Sequence, residues 1–195
     1  MVVRFHRRRD SVKSQKPLVL LQIPPDRFCP CSVLHDQSFV KLSEVLPRAA
    51  IRLDIDGLDK WALIETLTDS LVGSEQIEAT HRDVVHDALV LREQSMSTGM
   101  EKGIAIPHAS VDQVQHTAVA LGVATKGVAF EAIDGQPTHL VILLVNPANQ
   151  TKAHIRTLAE IARLLSNADL RAALKGAVDP DAVLDEIRSA EAAVT

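Results

Sequence analysis

The run Arg92-Glu93-Gln94-Ser95-Met96-Ser97-Thr98-Gly99-Met100-Glu101-Lys102-Gly103-Ile104-Ala105-Ile106-Pro107-His108 carries more information than any other part of this 195-residue chain. Gly99 and Gly103 bracket a turn, Ile104-Ala105-Ile106 reads as a short strand, and Pro107 presents one histidine where that strand ends. A rigid element that delivers a single imidazole to a loop positions a nucleophile or an acid/base group. Arg92 and the hydroxyls of Ser97 and Thr98 stand upstream, and such groups are the donors that an oxyanion or phosphoryl group needs. A strand-end histidine by itself would be read as merely solvated. Its company makes His108 a candidate nucleophile.

Outward from this run, helix and strand signals alternate. Upstream, Trp61, Ile64, Leu67, Thr68 and Leu71 recur at helical spacing and predict a helix over Asp59 to Val72. Thr80-His81-Arg82-Asp83 reads as a capping-box variant opening a second helix that runs to about Glu93. Downstream, Thr117 to Ala124 and His139 to Val145 are β-rich. The second of these is continuous enough in apolar residues to be a central strand covered on both faces. Asp134-Gly135 supplies a turn between the two. Thr151 to Leu165 predicts a helix with Ile155, Leu158, Ile161, Ala162 and Leu165 inward. Asn167 caps a helix from Ala168 to Lys175, and Asp179-Pro180 opens a last one to about Glu191, with proline in its favoured first position. Helices before, between and after the strands predict a single layered α/β domain over residues 39–191.

Composition narrows the function. Hydrophobic residues make up 46% of the chain and charged residues 24%, the balance of a globular protein with a real core. Four Phe, one Trp and no Tyr leave no stacking platform for single-stranded nucleic acid, and a net charge of -4 argues against a general nucleic-acid binder. No apolar run reaches the roughly 20 residues needed to span a bilayer, so membrane insertion is not expected. Residues 1–38 read differently: a basic start (Arg4, Arg7, Arg8, Arg9, Lys13, Lys16), a brief apolar patch at Leu18-Val19-Leu20-Leu21, then Pro24, Pro25 and Pro30. The patch falls short of a signal peptide's apolar core, so a disordered extension, or residues ahead of the natural start, is expected. Cys29 and Cys31 are poorly spaced for a disulfide and incomplete as a zinc site even with His35, which fits a reducing cytoplasm.

After His108, the next candidate is His154. It falls in the first turn of the helix from Thr151, where free N–H groups and the helix dipole favour a nearby anion and lower an imidazole's pKa. It shares a side with Leu158, Ile161 and Leu165 and so points toward the sheet. Arg92 could hold phosphoryl oxygens bidentately, or could simply complement the C-terminal dipole of its helix. Ser97 and Thr98 could donate to the same group or only to the turn's own backbone. The remaining histidines form no partner pattern. There is no Walker-type phosphate loop, so no nucleotide cofactor is expected and a phosphoryl group must arrive on a protein or a small donor.

Arg92-Glu93, Ser97-Thr98-Gly99, Gly103-Ile104-Ala105-Ile106-Pro107-His108 and His154…Leu158-Ala159…Ile161…Leu164-Leu165 together resemble the enzyme IIA domain, type 2, of the bacterial phosphoenolpyruvate-dependent phosphotransferase system. This is the fructose/mannitol class, which includes the nitrogen-regulatory enzyme IIA. The resemblance covers about Val40 to Ile187. It implies a mixed β-sheet flanked by helices with the site at one edge, and a covalent phosphohistidine carrier. His108 would accept the phosphoryl group from the histidine-phosphocarrier protein and pass it to a IIB component or serve as a phosphorylation-dependent regulator. His154 would be the second active-site histidine, and Arg92 would stabilise phosphoryl charge. One departure stands out: Glu101 occupies a position where the family usually has glycine. Directed at His108 it would repel a phosphoryl group, and directed outward it would alter the face a partner reads. A purely regulatory protein-binding module is the alternative function. A metal hydrolase built on His108 and His154 lacks carboxylate ligands at recognisable spacing.

Overall fold

The computed structural model describes residues 41–53 and 55–193. The extension expected over residues 1–38, with Cys29, Cys31 and His35, lies outside the described residues. The chain forms a mixed sheet flanked by helices, as the sequence leads one to expect. Its elements in order are α1 (Leu42–Val45), β1 (Ile51–Arg52), α2 (Lys60–Gly73), α3 (Arg82–Ser95), β2 (Ile104–Ala105), β3 (His108–Val111), β4 (Ala118–Val128), β5 (Thr138–Pro147), α4 (Thr151–Leu165), α5 (Ala168–Gly176) and α6 (Pro180–Ala192).

The sheet is five-stranded, with β5 at its centre. On one side β5 runs antiparallel to β4, with Ala118 opposite Val145 and Leu121 opposite Ile142, and β4 in turn pairs in parallel with β1. On its other side β5 pairs in parallel with β2 and then β3. These two are one strand interrupted at Ile106-Pro107. Proline has no N–H to offer a ladder, but its carbonyl still accepts the Leu144 N–H at 2.9 Å, so pairing resumes immediately. Leu140 to Pro147 are all buried and only His139 before them is half-buried, the pattern of a strand covered on both faces.

Caps explain most helix starts. The Asp59 carboxylate accepts the N–H groups of Trp61 and Ala62, the Asn167 side chain those of Asp169 and Leu170, and Asp179 that of Ala182. The expected capping box at Thr80 does not form. Residues Ala79–His81 make a 3-10 turn instead, α3 has no side-chain cap, and the Thr80 hydroxyl turns to the Glu78 carboxylate at 3.3 Å. One inward assignment and one residue of the helical pattern also differ in burial. Ile155 is 60% exposed, while α4 buries Thr157, Ile161, Leu164 and Leu165. Trp61 is 41% exposed, while its neighbour Lys60 is 5% exposed. The core is built from β4 and β5 with Leu63, Leu67 and Leu71 of α2, Leu89 of α3, Ile161 and Leu165 of α4, Leu174 of α5 and Ile187 of α6.

Candidate functional site

The break at Pro107 decides where His108 stands. It is not left in a loop past a strand end. It is the first residue of β3, in register with Leu144 of the central strand. Its half-buried ring sends Nδ1 to the Ile106 carbonyl at 2.8 Å. A carbonyl can only accept, so Nδ1 carries the proton and Nε2 keeps its lone pair. Burial holds this imidazole below its usual pKa. The Arg92 charge pushes it the same way, while the Ile106 bond and the Glu93 charge act against both.

His154 reaches the same place from α4. The two rings stand 5.4 Å apart between centroids and are tilted by 49°. Burial, and then the charge of His108, lower the His154 pKa. Its Nδ1 lies 2.7 Å from the amide nitrogen of Asn146, a fully buried residue of β5. The Asn146 carbonyl accepts the Thr117 hydroxyl at 2.8 Å. Arg92 comes from the last turn of α3, where one guanidinium nitrogen donates to the Met96 carbonyl at 2.9 Å. Arg92, His108 and His154 line one pocket of about 540 Å³ together with Ala88, Leu91, Ser95, Ala109 and Ser110.

Ser97 and Thr98 are outside that lining. The buried Thr98 donates its hydroxyl to Glu93 at 2.6 Å and its N–H to the same carboxylate at 2.9 Å. Ser97 donates to the Phe130 carbonyl at 2.8 Å and accepts from Lys60 at 3.2 Å. Both hydroxyls are therefore engaged in holding the loop rather than in facing a phosphoryl group. Of the two serines that line the pocket, Ser95 donates its hydroxyl to the Arg92 carbonyl at 2.6 Å, and the other is Ser110. It lies two residues along β3 from His108, and side chains two apart on a strand share a face.

Beneath the loop lies a buried ion pair. The Lys60 ammonium is 2.8 Å from Glu93 and 2.8 Å from Glu131, with the Phe130 and Trp61 rings at 5.0 and 5.3 Å. Burial disfavours the charge on Lys60 and Glu93 alike, but their mutual bonds and those from Glu131 and Thr98 more than offset it. Lys60 is raised and Glu93 lowered relative to their ordinary values. This pair joins the start of α2 to the end of α3, from which Arg92 projects, and the bonds from Thr98 to Glu93 and from Lys60 to Ser97 tie both to the loop that leads into β2. Glu101 is exposed and outside the pocket lining, and its backbone is not in the left-handed region, which Lys102 and Gly103 occupy instead.

Sequence reasoning missed Ser110, Asn146, Thr117 and the Lys60–Glu93 pair. Two signals were present: Asn146 closes an otherwise apolar strand, and Ser110 follows His108 at strand spacing. Among the described residues no group of three or more His, Cys, Asp or Glu side chains is arranged to hold a metal ion.

The mixed sheet brings two imidazoles and a guanidinium to one open pocket, a set of groups suited to an anionic group such as a phosphoryl. The chain belongs to the family described as phosphoenolpyruvate-dependent sugar phosphotransferase system, EIIA 2, which matches residues 44–190. It is 32% identical over 148 residues to the fructose-specific EIIABC component of the phosphotransferase system in Bacillus subtilis, a match spanning 76% of this chain but 23% of that protein. It is 30% identical over 159 residues to the nitrogen regulatory protein of Klebsiella oxytoca, covering 81% of this chain and 96% of that one. Among solved structures, the nitrogen regulatory protein IIA-Ntr from Neisseria meningitidis superposes with a TM-score of 0.68 at 29% identity, over 74% of this chain and 97% of that one. Proteins of this family are phosphoryl-transfer carriers. No helix among the described residues is long and apolar enough to cross a membrane.

Proposed function

We propose that His108 is the phosphoryl-accepting residue, that the histidine-phosphocarrier protein is its donor, and that the group passes to a IIB component or sets the state of a regulated protein. One observation carries this reading. His108 commits Nδ1–H to the Ile106 carbonyl, which leaves Nε2 unprotonated in the pocket it shares with Arg92 and His154. In the transfer, the Nε2 lone pair forms a bond to the phosphorus of the donor phosphohistidine. The donor's P–N bond breaks in line, and its electron pair returns to the donor imidazole nitrogen. No proton need leave His108. Arg92 and His154 flank the equatorial oxygens, where positioning and electrostatics supply most of phosphoryl-transfer catalysis. The carrier is a covalent intermediate of a transient kind.

Leu91, which lines the pocket, is 71% exposed, and Ile155 beside His154 is 60% exposed. An exposed leucine in the pocket lining, with another exposed apolar residue next to His154 in sequence, suits a protein donor better than a small phosphorylated molecule. The site would work in the cytoplasm, where that donor is kept charged.

The decisive experiment supplies phosphoenolpyruvate and the purified general components of the system to the wild-type protein and to His108→Ala. The wild type is expected to gain an acid-labile phosphoryl group and the variant none. Labelling that persists in the variant overturns the site. The alternative is a regulatory module that passes no group toward a sugar; the chain matches both a nitrogen regulatory protein and a fructose-specific EIIA component over nearly their full lengths. Capture of a IIB protein by the phosphorylated form, with label then transferred to it, would decide for transport.

A further inference from the structure

The second imidazole can help a transferring phosphoryl group only if it turns an N–H toward it, and that depends on which ring nitrogen holds the proton. Asn146 settles the matter from behind. It is fully buried at the end of β5, one step beyond the pairing of Ala118 with Val145, so Thr117 stands opposite it across the ladder. The Thr117 hydroxyl donates to Oδ1 at 2.8 Å, and Nδ2 then faces Nδ1 of His154 at 2.7 Å. An amide nitrogen can only donate, so Nδ1 of His154 must accept. We infer that the Thr117–Asn146 pair fixes His154 as its Nε2–H tautomer, so that His154 presents a hydrogen-bond donor, rather than a competing lone pair, to the phosphoryl group on His108. The two histidines then hold opposite tautomers: Ile106 leaves a nucleophilic Nε2 on one, and Asn146 leaves a donating Nε2–H on the other. Asn146 and Thr117 are positioning residues. The inference rests on the proposed phosphoryl transfer only for its purpose, because the tautomer exists without any phosphoryl group.

The test is a proton–nitrogen correlation spectrum of the imidazoles in the unphosphorylated wild-type protein, above the His154 titration. A pyrrole-type Nε2 and a pyridine-type Nδ1 on His154 are expected. The reverse pattern overturns the proposal, since it requires the Asn146 carbonyl to face the ring. Asn146→Asp replaces the donor by a carboxylate that only accepts. The proton should move to Nδ1, the His154 titration midpoint should rise, and phosphoryl transfer should slow by about 10–100-fold, the usual effect of losing an orienting partner. Thr117→Val frees the amide to turn and should give mixed tautomers, with Thr117→Ser restoring the wild-type spectrum. A wild-type tautomer in both Asn146→Asp and Thr117→Val would also overturn it. Failure of His108 to be labelled, with the His154 tautomer as expected, would count against the phosphoryl-transfer reading and leave this inference standing.

Discussion

The rings of His108 and His154 stand 5.4 Å apart between centroids and are inclined by 49°, although 45 residues lie between them in the chain. Both rings line one pocket and are tilted rather than stacked, so the two imidazoles address the same space. On the proposed assignment His154 contributes charge stabilisation and not the new bond, so His154→Ala should still be labelled on His108. Its transfer should fall by about 10²-fold, the effect of removing one preorganised donor. Rapid-quench measurement of label transfer checks this. Complete loss of labelling would give His154 the nucleophilic role.

The His108 imidazole is kept neutral chiefly by burial and then by the Arg92 charge. Its titration midpoint in the folded protein should therefore lie below the ordinary value of 6.5. Phosphoryl acceptance should persist as the pH falls through 6.5 and be lost only at the lower folded midpoint, since the protonated ring has no lone pair. Protonation then favours the unfolded state, where the imidazole titrates normally, so this group lowers stability progressively as pH falls below its unfolded pKa. Arg92→Gln removes one depressing charge and should move the midpoint upward, and Glu93→Gln should move it down. Proton NMR titration of the ring resonances reads both shifts. An unchanged midpoint in Arg92→Gln would mean that the guanidinium is screened from the ring.

Lys60 and Glu93 are a buried ion pair beneath the site loop, 5% and 2% exposed. Removing Lys60 leaves the buried Glu93 carboxylate without its cation. Lys60→Met should therefore destabilise the protein by about 3 kcal/mol. The Glu93 pKa is lowered in the folded state, so its contribution is complete above the ordinary carboxylate value of 4.5 and disappears as pH falls through the lower folded value. Urea unfolding at neutral and at acid pH measures both. The difference between wild type and Lys60→Met should shrink at the acid end.

Lys60 also shows where the sequence stops being legible. Helical spacing places α2 correctly but cannot tell which of Lys60 and Trp61 turns inward. Apolar periodicity favours the indole. The outcome depends on Glu93 and Glu131, which come from α3 and a distant loop, so the preference is tertiary. The same holds for Ser97 and Thr98. Their type suits a phosphoryl group, yet their hydroxyls are taken by Phe130 and Glu93. By contrast, the apolar run of β5, the helix over Thr151–Leu165 and the caps at Asn167 and Asp179 are all readable, because each is set by local chemistry. The short β1 carries too little pattern to be read from two residues. The role of Asn146 depends on a residue opposite it across the sheet.

Gly99 is required by close approach. A Cβ built there would lie 2.7 Å from the Ala132 Cα and 2.9 Å from its nitrogen, all backbone that cannot turn aside. Gly99→Ala must push the site loop off the Phe130–Ala132 segment and strain the Ser97 bond to Phe130. A loss of about 1–3 kcal/mol in thermal or urea unfolding is expected, with slower phosphoryl acceptance. A variant as stable as wild type would show that the segment moves freely.

Glu101 stands where the family usually has glycine, outside the lining of the pocket that holds His108. The residue is exposed and is not in the left-handed region, while Lys102 bends the chain with φ 68° and ties its N–H to Asp134 at 2.9 Å. Glu101→Ala should therefore change stability by no more than about 0.5 kcal/mol and leave the His108 midpoint where it was. On the proposed donor reading, its effect falls on encounter with a charged protein. A surface charge near an interface acts mainly on association rate and its salt dependence. Donor association measured across ionic strengths should lose part of its salt slope in Glu101→Ala, while single-turnover transfer within the complex stays the same. A shifted His108 titration in this variant would instead place the carboxylate within reach of the site.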